Sequence, residues 1–108
     1  MVPVDLARAG EARHFISWRA AVAGLGGGRL GELAIAAEAV LTDVFLSARG
    51  GVLEIESEHD GERVRITVRH PELPPGSRRM SGLSGLLEQF LDAHELYPDR
   101  AVLEKNLR

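Results

Sequence analysis

Residues 52–70 read VLEIESEHDGERVRITVRH, and this stretch decides the fold. Apolar and charged residues alternate in both halves, which is typical of β-strands with one buried face. The Asp60-Gly61 pair, inside the linker 59–62, is a strong signal for a hairpin turn. The charged face of this hairpin sets a row of glutamates against a row of arginines: Glu54, Glu56 and Glu58 opposite Arg63, Arg65 and Arg69. We expect this face to be solvated, with an anionic ligand on the arginine row as the alternative.

The segment before the hairpin predicts two helices. The first spans about 9–25 and ends in a run of glycines, and its apolar stripe is formed by Ala12, Phe15, Trp18, Val22 and Leu25. The second spans about 29–48, with a main stripe formed by Leu30, Leu33, Ala34, Ala37, Leu41, Val44 and Phe45. A second apolar set, on another face, consists of Ile35, Ala39 and Leu46. We therefore expect the second helix to be packed on two sides.

After the hairpin, Pro71, Pro74, Pro75 and Gly76 interrupt the chain. A third helix is predicted over 81–94 and a last strand over 101–107. The order is helix, helix, strand, strand, helix, strand. This order predicts one domain over residues 1–108 of the α+β class: a two-layer α/β sandwich in which helices cover one face of an antiparallel or mixed sheet.

Composition excludes several classes of protein. The chain has 108 residues, 13 basic against 16 acidic residues and a formal net charge of −3, which disfavours a dedicated nucleic-acid binder. It has no cysteine, so disulfides, thiol nucleophiles and cysteine-based zinc sites are excluded. No apolar run is long enough to span a bilayer, and the start lacks the pattern of a secretory signal. We expect a cytoplasmic protein.

Two residues stand out individually. Asp43 lies among apolar neighbours on the second helix, where a carboxylate needs a partner, a metal ion or a polar cleft. His14, on the first helix, is either a phosphoryl acceptor or a partly covered structural histidine.

Taken in order, the helix at 33–48, the hairpin, the proline-rich loop and the sequence SGLSGL at 81–86 resemble the small GHKL (histidine-kinase-like) ATPase domains. The likeness covers about 11–107 and is greatest to the stand-alone anti-sigma-factor serine kinases of bacterial partner-switching systems. It implies an α/β sandwich in which ATP lies between the helices and the sheet, under a flexible lid.

The resemblance also implies a helix motif in which a catalytic Glu is followed four residues later by a magnesium-binding Asn. One register places these functions on Ala39 and Asp43, which removes the base and leaves Asp43 as the candidate magnesium ligand. The other register places them on Glu38 and Thr42, which keeps the base and weakens the metal ligand. Neither register keeps both partners.

The two glycine-rich boxes of the family are also altered. His70 stands where an Asp accepts a hydrogen bond from the adenine amino group, and Glu72 replaces a glycine beside the phosphates. Arg78 and Arg79, in the loop before the third helix, could hold an anion or be solvated. Gly82 is the remaining glycine of the second box. The predicted degenerate nucleotide site is therefore formed by His70, Arg78, Arg79 and Gly82, with no catalytic residue.

We accordingly expect a regulatory protein without a bound cofactor, which binds a sigma factor or an anti-sigma antagonist in transcriptional or two-component control. The alternatives are an active serine protein kinase that uses ATP and magnesium, a phosphotransfer module based on His14, and an unrelated α+β interaction module. Relatives of this type often pair, so a homodimer remains open.

Overall fold

The computed structural model describes residues 2–3, 9–47, 52–70, 83–97 and 99–107. The proline-rich loop, Glu72, Arg78, Arg79 and Gly82 lie outside these residues. The elements in chain order are β1 (Val2–Pro3), α1 (Ala9–Val22), α2 (Gly27–Ser47), β2 (Val52–His59), β3 (Arg63–Arg69), α3 (Leu83–Phe90), β4 (Ala93–Leu96) and β5 (Arg100–Asn106).

The strands form one sheet in the order β1-β2-β3-β5-β4, and every pairing is antiparallel. In the described part of the chain, β1 contributes two residues at the edge of four longer strands. Helix α1 contacts α2 and β2, while α2 contacts α3 and β5. The α+β class and the two-layer sandwich are therefore confirmed.

The hairpin forms where the sequence predicts it. β2 and β3 pair with Glu54 opposite Arg69 and Glu58 opposite Arg65. In the turn, Asp60 Oδ1 accepts hydrogen bonds from the backbone N–H groups of Glu62 at 2.7 Å and Arg63 at 3.0 Å. A short Asp side chain bonded to the backbone ahead of it holds the turn closed.

The glycine run ends α1 as predicted, through a specific cap. Gly24 has a φ of 110°, which a side chain would disfavour. Its N–H donates to the Ala21 carbonyl at 3.0 Å, and the Leu25 N–H donates to the Ala20 carbonyl at 3.0 Å. These two bonds form a Schellman motif, in which a glycine reverses the chain and satisfies the last carbonyls.

The buried face of α1 is predicted only in part, because Ala12 and Leu25 are buried as expected but Trp18 and Val22 are not. The residues packed inside are Ala12, Ile16 and Ala20, all at 0% exposure, whereas Trp18 is 53% and Val22 61% exposed. Both sets recur at helical spacing, so periodicity alone does not separate them. The small side chains of Ala12 and Ala20 let α1 approach the layer beneath it closely, which the larger Trp18 would prevent.

Helix α2 is buried over a wide arc, as its two apolar sets predict. Leu33, Ala36, Ala37, Ala39, Val40, Leu41 and Val44 are all buried. Ile35, by contrast, is 48% exposed, so one predicted member of the second set faces outward. The side chains of Phe45 and Leu46 lie outside the described residues. Under the helices, the sheet contributes Leu53, Val64, Ile66, Val68, Ala101 and Leu103 to one shared core.

The third helix is shorter than predicted. It ends at Phe90, and the residues expected to continue it form β4, which pairs with β5. The Asp92 N–H donates to the Glu104 carbonyl at 3.1 Å, so the chain joins the sheet within two residues of the helix end. The helical start expected at residue 81 lies outside the described residues.

Candidate functional site

The two registers of the helix motif lie on different faces of α2. Ala39 and Asp43 are buried, at 7% and 0% exposure, whereas Glu38 and Thr42 are exposed. Because residues four apart share a helix face, each register forms a coherent pair. Only the pair of Ala39 and Asp43 faces the interior of the sandwich, where the resemblance would place a nucleotide.

Asp43 is among the largest fully buried side chains. It takes part in an interaction within the protein, as a buried carboxylate must. A magnesium ion usually keeps several of its waters when it binds a carboxylate, so a ligand for it must be reachable from solvent. Among the described residues, no group of three or more histidine, cysteine, aspartate or glutamate side chains could hold a metal ion.

His70 follows β3 directly and is 3% exposed. Its backbone N–H donates to the Asp99 carbonyl at 2.8 Å, which ties the end of β3 to the residue before β5. This bond fixes the chain at the end of β3, just before the proline-rich loop in the sequence. The other three residues of the predicted nucleotide site fall in or beside that loop, outside the described residues.

A groove of about 310 Å³ lies between α1 and α2. It is lined on one side by Arg13, His14 and Ser17 and on the other by Ala34 and Glu38. Arg13 Nη1 donates to Glu38 Oε1 at 3.1 Å, and both side chains are more than half exposed. The base predicted in the second register is therefore engaged by an arginine on the outer surface, and His14 is exposed beside it.

The outer face of the sheet carries the predicted charges, but their pairing differs in part. Arg69 Nη1 lies 3.2 Å from Glu56 Oε1 and 3.8 Å from Glu54 Oε2, as the two rows predict. Arg63 and Arg65 instead bind Glu104 of β5, at 3.1 and 2.7 Å. The hydrogen bond that Arg65 donates to the Glu104 carboxylate raises the pKa of Arg65 above its usual value. Carboxylates of the protein itself thus engage the arginine row.

Sequence analysis missed Lys105, the only lysine in the chain. It is 5% exposed, and its Nζ donates to Glu32 Oε2 at 2.9 Å and to the Phe90 carbonyl at 2.7 Å. The ammonium group therefore joins β5, α2 and the carboxyl end of α3, where a cation is favoured. The alternation in β5 was the available signal, because it places Lys105 on the same face as Ala101 and Leu103.

Four large hydrophobic side chains are exposed among the described residues. Trp18, Val22 and Ile35 lie on the helical layer, and Tyr97 lies beyond β4. Tyr97 is covered in part by the Arg100 guanidinium, 4.2 Å from its ring centroid, and donates to Glu95. The Arg19 guanidinium lies over the Trp18 ring, 5.8 Å from its centroid. Three of the four exposed large hydrophobic side chains are therefore on the helices.

A scan against models of known protein families finds no match, and a search of curated proteins finds none either. Within the described ranges, no helix is long and apolar enough to cross a membrane.

Proposed function

We propose that this protein is a cytoplasmic regulatory protein of the histidine-kinase-like ATPase type that acts by binding another protein, and whose nucleotide site has lost its function. Its partner would be a sigma factor or an anti-sigma antagonist. The observation that carries the proposal is the exposure of Trp18 and Ile35 on the helical layer, at 53% and 48%. Large apolar side chains that are left in water can gain free energy by burial against a protein partner.

The residues buried between the helices and the sheet support the proposed loss of nucleotide binding. Phosphoryl transfer requires groups positioned around magnesium and the phosphates. Ala39 offers no base, and Asp43 is covered by protein. His70, which would have to read the adenine, is also covered. In this proposal the interlayer space serves packing, and regulation is exerted by contact at the surface.

Calorimetric titration with ATP and ADP, with and without magnesium, tests the nucleotide part of the proposal. We expect no binding at micromolar concentrations in any of the four titrations. A micromolar dissociation constant that requires magnesium and disappears in Asp43→Asn would instead establish the active-kinase alternative, with Asp43 as a metal ligand.

Binding to the sigma factors and anti-sigma antagonists of the source organism tests the partner part. Ile35→Ser should weaken the complex, because it removes an exposed apolar group from the helical layer. Tyr97→Ser is the matched control, since it removes an exposed apolar group beyond β4 and should leave affinity unchanged. A complex equally insensitive to both changes, or no complex with any candidate, would contradict this part.

A further inference from the structure

Among the described residues, one edge of the sheet is left unpaired along most of β2. The pairing of β1 with β2 that the structure describes is at Val52 and Leu53. Within the described part of the chain, no strand adjoins β2 on that side from Glu54 to His59. An open edge presents a row of backbone donors and acceptors to any extended chain that approaches it.

The register shows which backbone groups point outward. The Asp60 N–H donates to the Arg63 carbonyl at 3.2 Å, so these two residues form a hydrogen-bonded pair. In an antiparallel ladder, hydrogen-bonded and non-hydrogen-bonded pairs alternate. Glu54, Glu56 and Glu58 consequently direct their backbone groups to β3. The N–H and C=O groups of the residues between them point out from the edge; these residues are Ile55, Ser57 and His59.

The side chains along this edge are acidic on the outer face of the sheet. Glu54 and Glu56 share Arg69, and Glu58 forms no ion pair among the described residues. A second copy of β2 placed antiparallel on this edge would set glutamates opposite or diagonal to glutamates, which is destabilising. A basic strand would instead find an opposite charge at every second residue.

On the inner side of the edge, α1 presents an apolar flank. Arg13 and Ser17 face α2, where they line the groove, and Ile16 lies in the core. At 3.6 residues per turn, Phe15 and Val22 therefore lie on the flank away from α2, with Trp18 between that flank and the outer surface. Helix α1 contacts β2, whereas α2 contacts β5 on the other side of β3, so the flank of α1 that faces away from α2 lies toward the open edge of β2.

We propose that the open edge of β2 binds an extended segment of a partner protein in which basic and apolar residues alternate. The basic side chains would face Glu54, Glu56 and Glu58, and the apolar ones would lie beneath the flank of α1. β3, with the sequence RVRITVR, occupies the opposite edge of β2 and sets Arg69 against Glu54 and Glu56, while Arg63 and Arg65 pair with Glu104 of β5. This inference rests on the proposed function, because it specifies how a protein partner is held.

The probe is the acetylated and amidated peptide RVRITVR. Trp18 is the only tryptophan in the chain, so a shift of its emission to shorter wavelength reports that the flank is covered. The charge-reversed peptide EVEITVE and the scrambled peptide RRRVITV should bind at least about tenfold more weakly than RVRITVR. In neither peptide does a basic residue lie opposite each glutamate of β2. Equal shifts with all three peptides, or no shift with RVRITVR, would overturn the proposal.

Protein variants test the acidic row. Glu58→Arg should weaken RVRITVR binding roughly fivefold to tenfold, since it places like charges across the strands. Glu88→Arg is the matched control, because it makes the same change at an exposed position of α3 and should leave affinity unchanged. An equal effect of the two changes would mean that overall charge, and not the edge, attracts the peptide.

Backbone methylation tests the strand pairing. In the antiparallel arrangement that every ladder of this sheet adopts, the peptide residues opposite Ile55 and Ser57 are apolar and donate the hydrogen bonds. N-methylation of those apolar residues should abolish binding, and N-methylation of the arginines should be tolerated. Tolerance of both sets, or a dimer of the protein that protects the Ile55 and Ser57 amides from exchange, would overturn the proposal. If the peptide fails while a sigma factor still binds through Ile35, only the edge inference falls; if no protein binds at all, the proposed function falls with it.

Discussion

Replacement of Lys105 by methionine should destabilise the protein by about 2 kcal/mol. The ammonium group makes one charge-assisted bond to Glu32 and one bond to the Phe90 carbonyl at the end of α3. A hydrogen bond to a charged group contributes about 1.5–3 kcal/mol, and a carbonyl left without its donor costs about 1–3 kcal/mol. The Glu32 side chain is 44% exposed, so in the variant water can solvate its carboxylate and offset part of the lost ion pair. Burial of the apolar methionine side chain offsets a further part of the lost stability.

The measurement is urea unfolding followed by circular dichroism at neutral pH. Arg13→Met is the control, because the Arg13–Glu38 pair is exposed on both sides and should contribute less than about 1 kcal/mol. Glu32→Gln in both the wild-type and the Lys105→Met background separates the ion pair from the bond to Phe90. If Lys105→Met unfolds at the same urea concentration as the wild type, the bonds at Nζ do not stabilise the fold.

Two further predictions concern α1 and the hairpin turn. Ile16→Ala should cost about 2–4 kcal/mol in urea unfolding and Val22→Ala less than about 1 kcal/mol, since only the first side chain lies in the core; comparable losses would contradict the observed face of α1. The backbone bonds from Glu62 and Arg63 lower the pKa of Asp60 below its usual 3.8. The stabilisation by the Asp60 carboxylate is therefore present above pH 3.8 and is lost as the pH falls through the lower folded-state pKa. Asp60→Asn should be less stable than the wild type at neutral pH, and the difference should shrink on acidification; a gap that is independent of pH would refute this.

The hairpin could be predicted from sequence because its two strands alternate strictly and a one-residue slip would bury every charge on one of them. β4 could not, because the four residues Ala93–Leu96 follow an amphipathic helix without a glycine or proline between them. They form a strand because β5 offers an edge to pair with, and this partner is not visible in local sequence. The face of α1 was predicted only in part for a related reason. The size of a side chain indicates how much it would gain from burial, but the space available under a helix depends on its neighbours.

For the candidate site, sequence analysis left open two registers of the motif on α2, one residue apart. In the fold, one register faces solvent and the other faces the core. The exposed register contains Glu38 and Thr42, and Glu38 lines the groove between α1 and α2 together with His14.

The buried register contains Ala39 and Asp43, where a methyl group and a covered carboxylate pack between the layers. Of the two registers, the one whose polar side chains a partner could contact is therefore the exposed one, with Glu38 and Thr42. In the proposed function a partner is bound at the surface, so the helical layer and the open edge of β2 are the two places where it should first be sought.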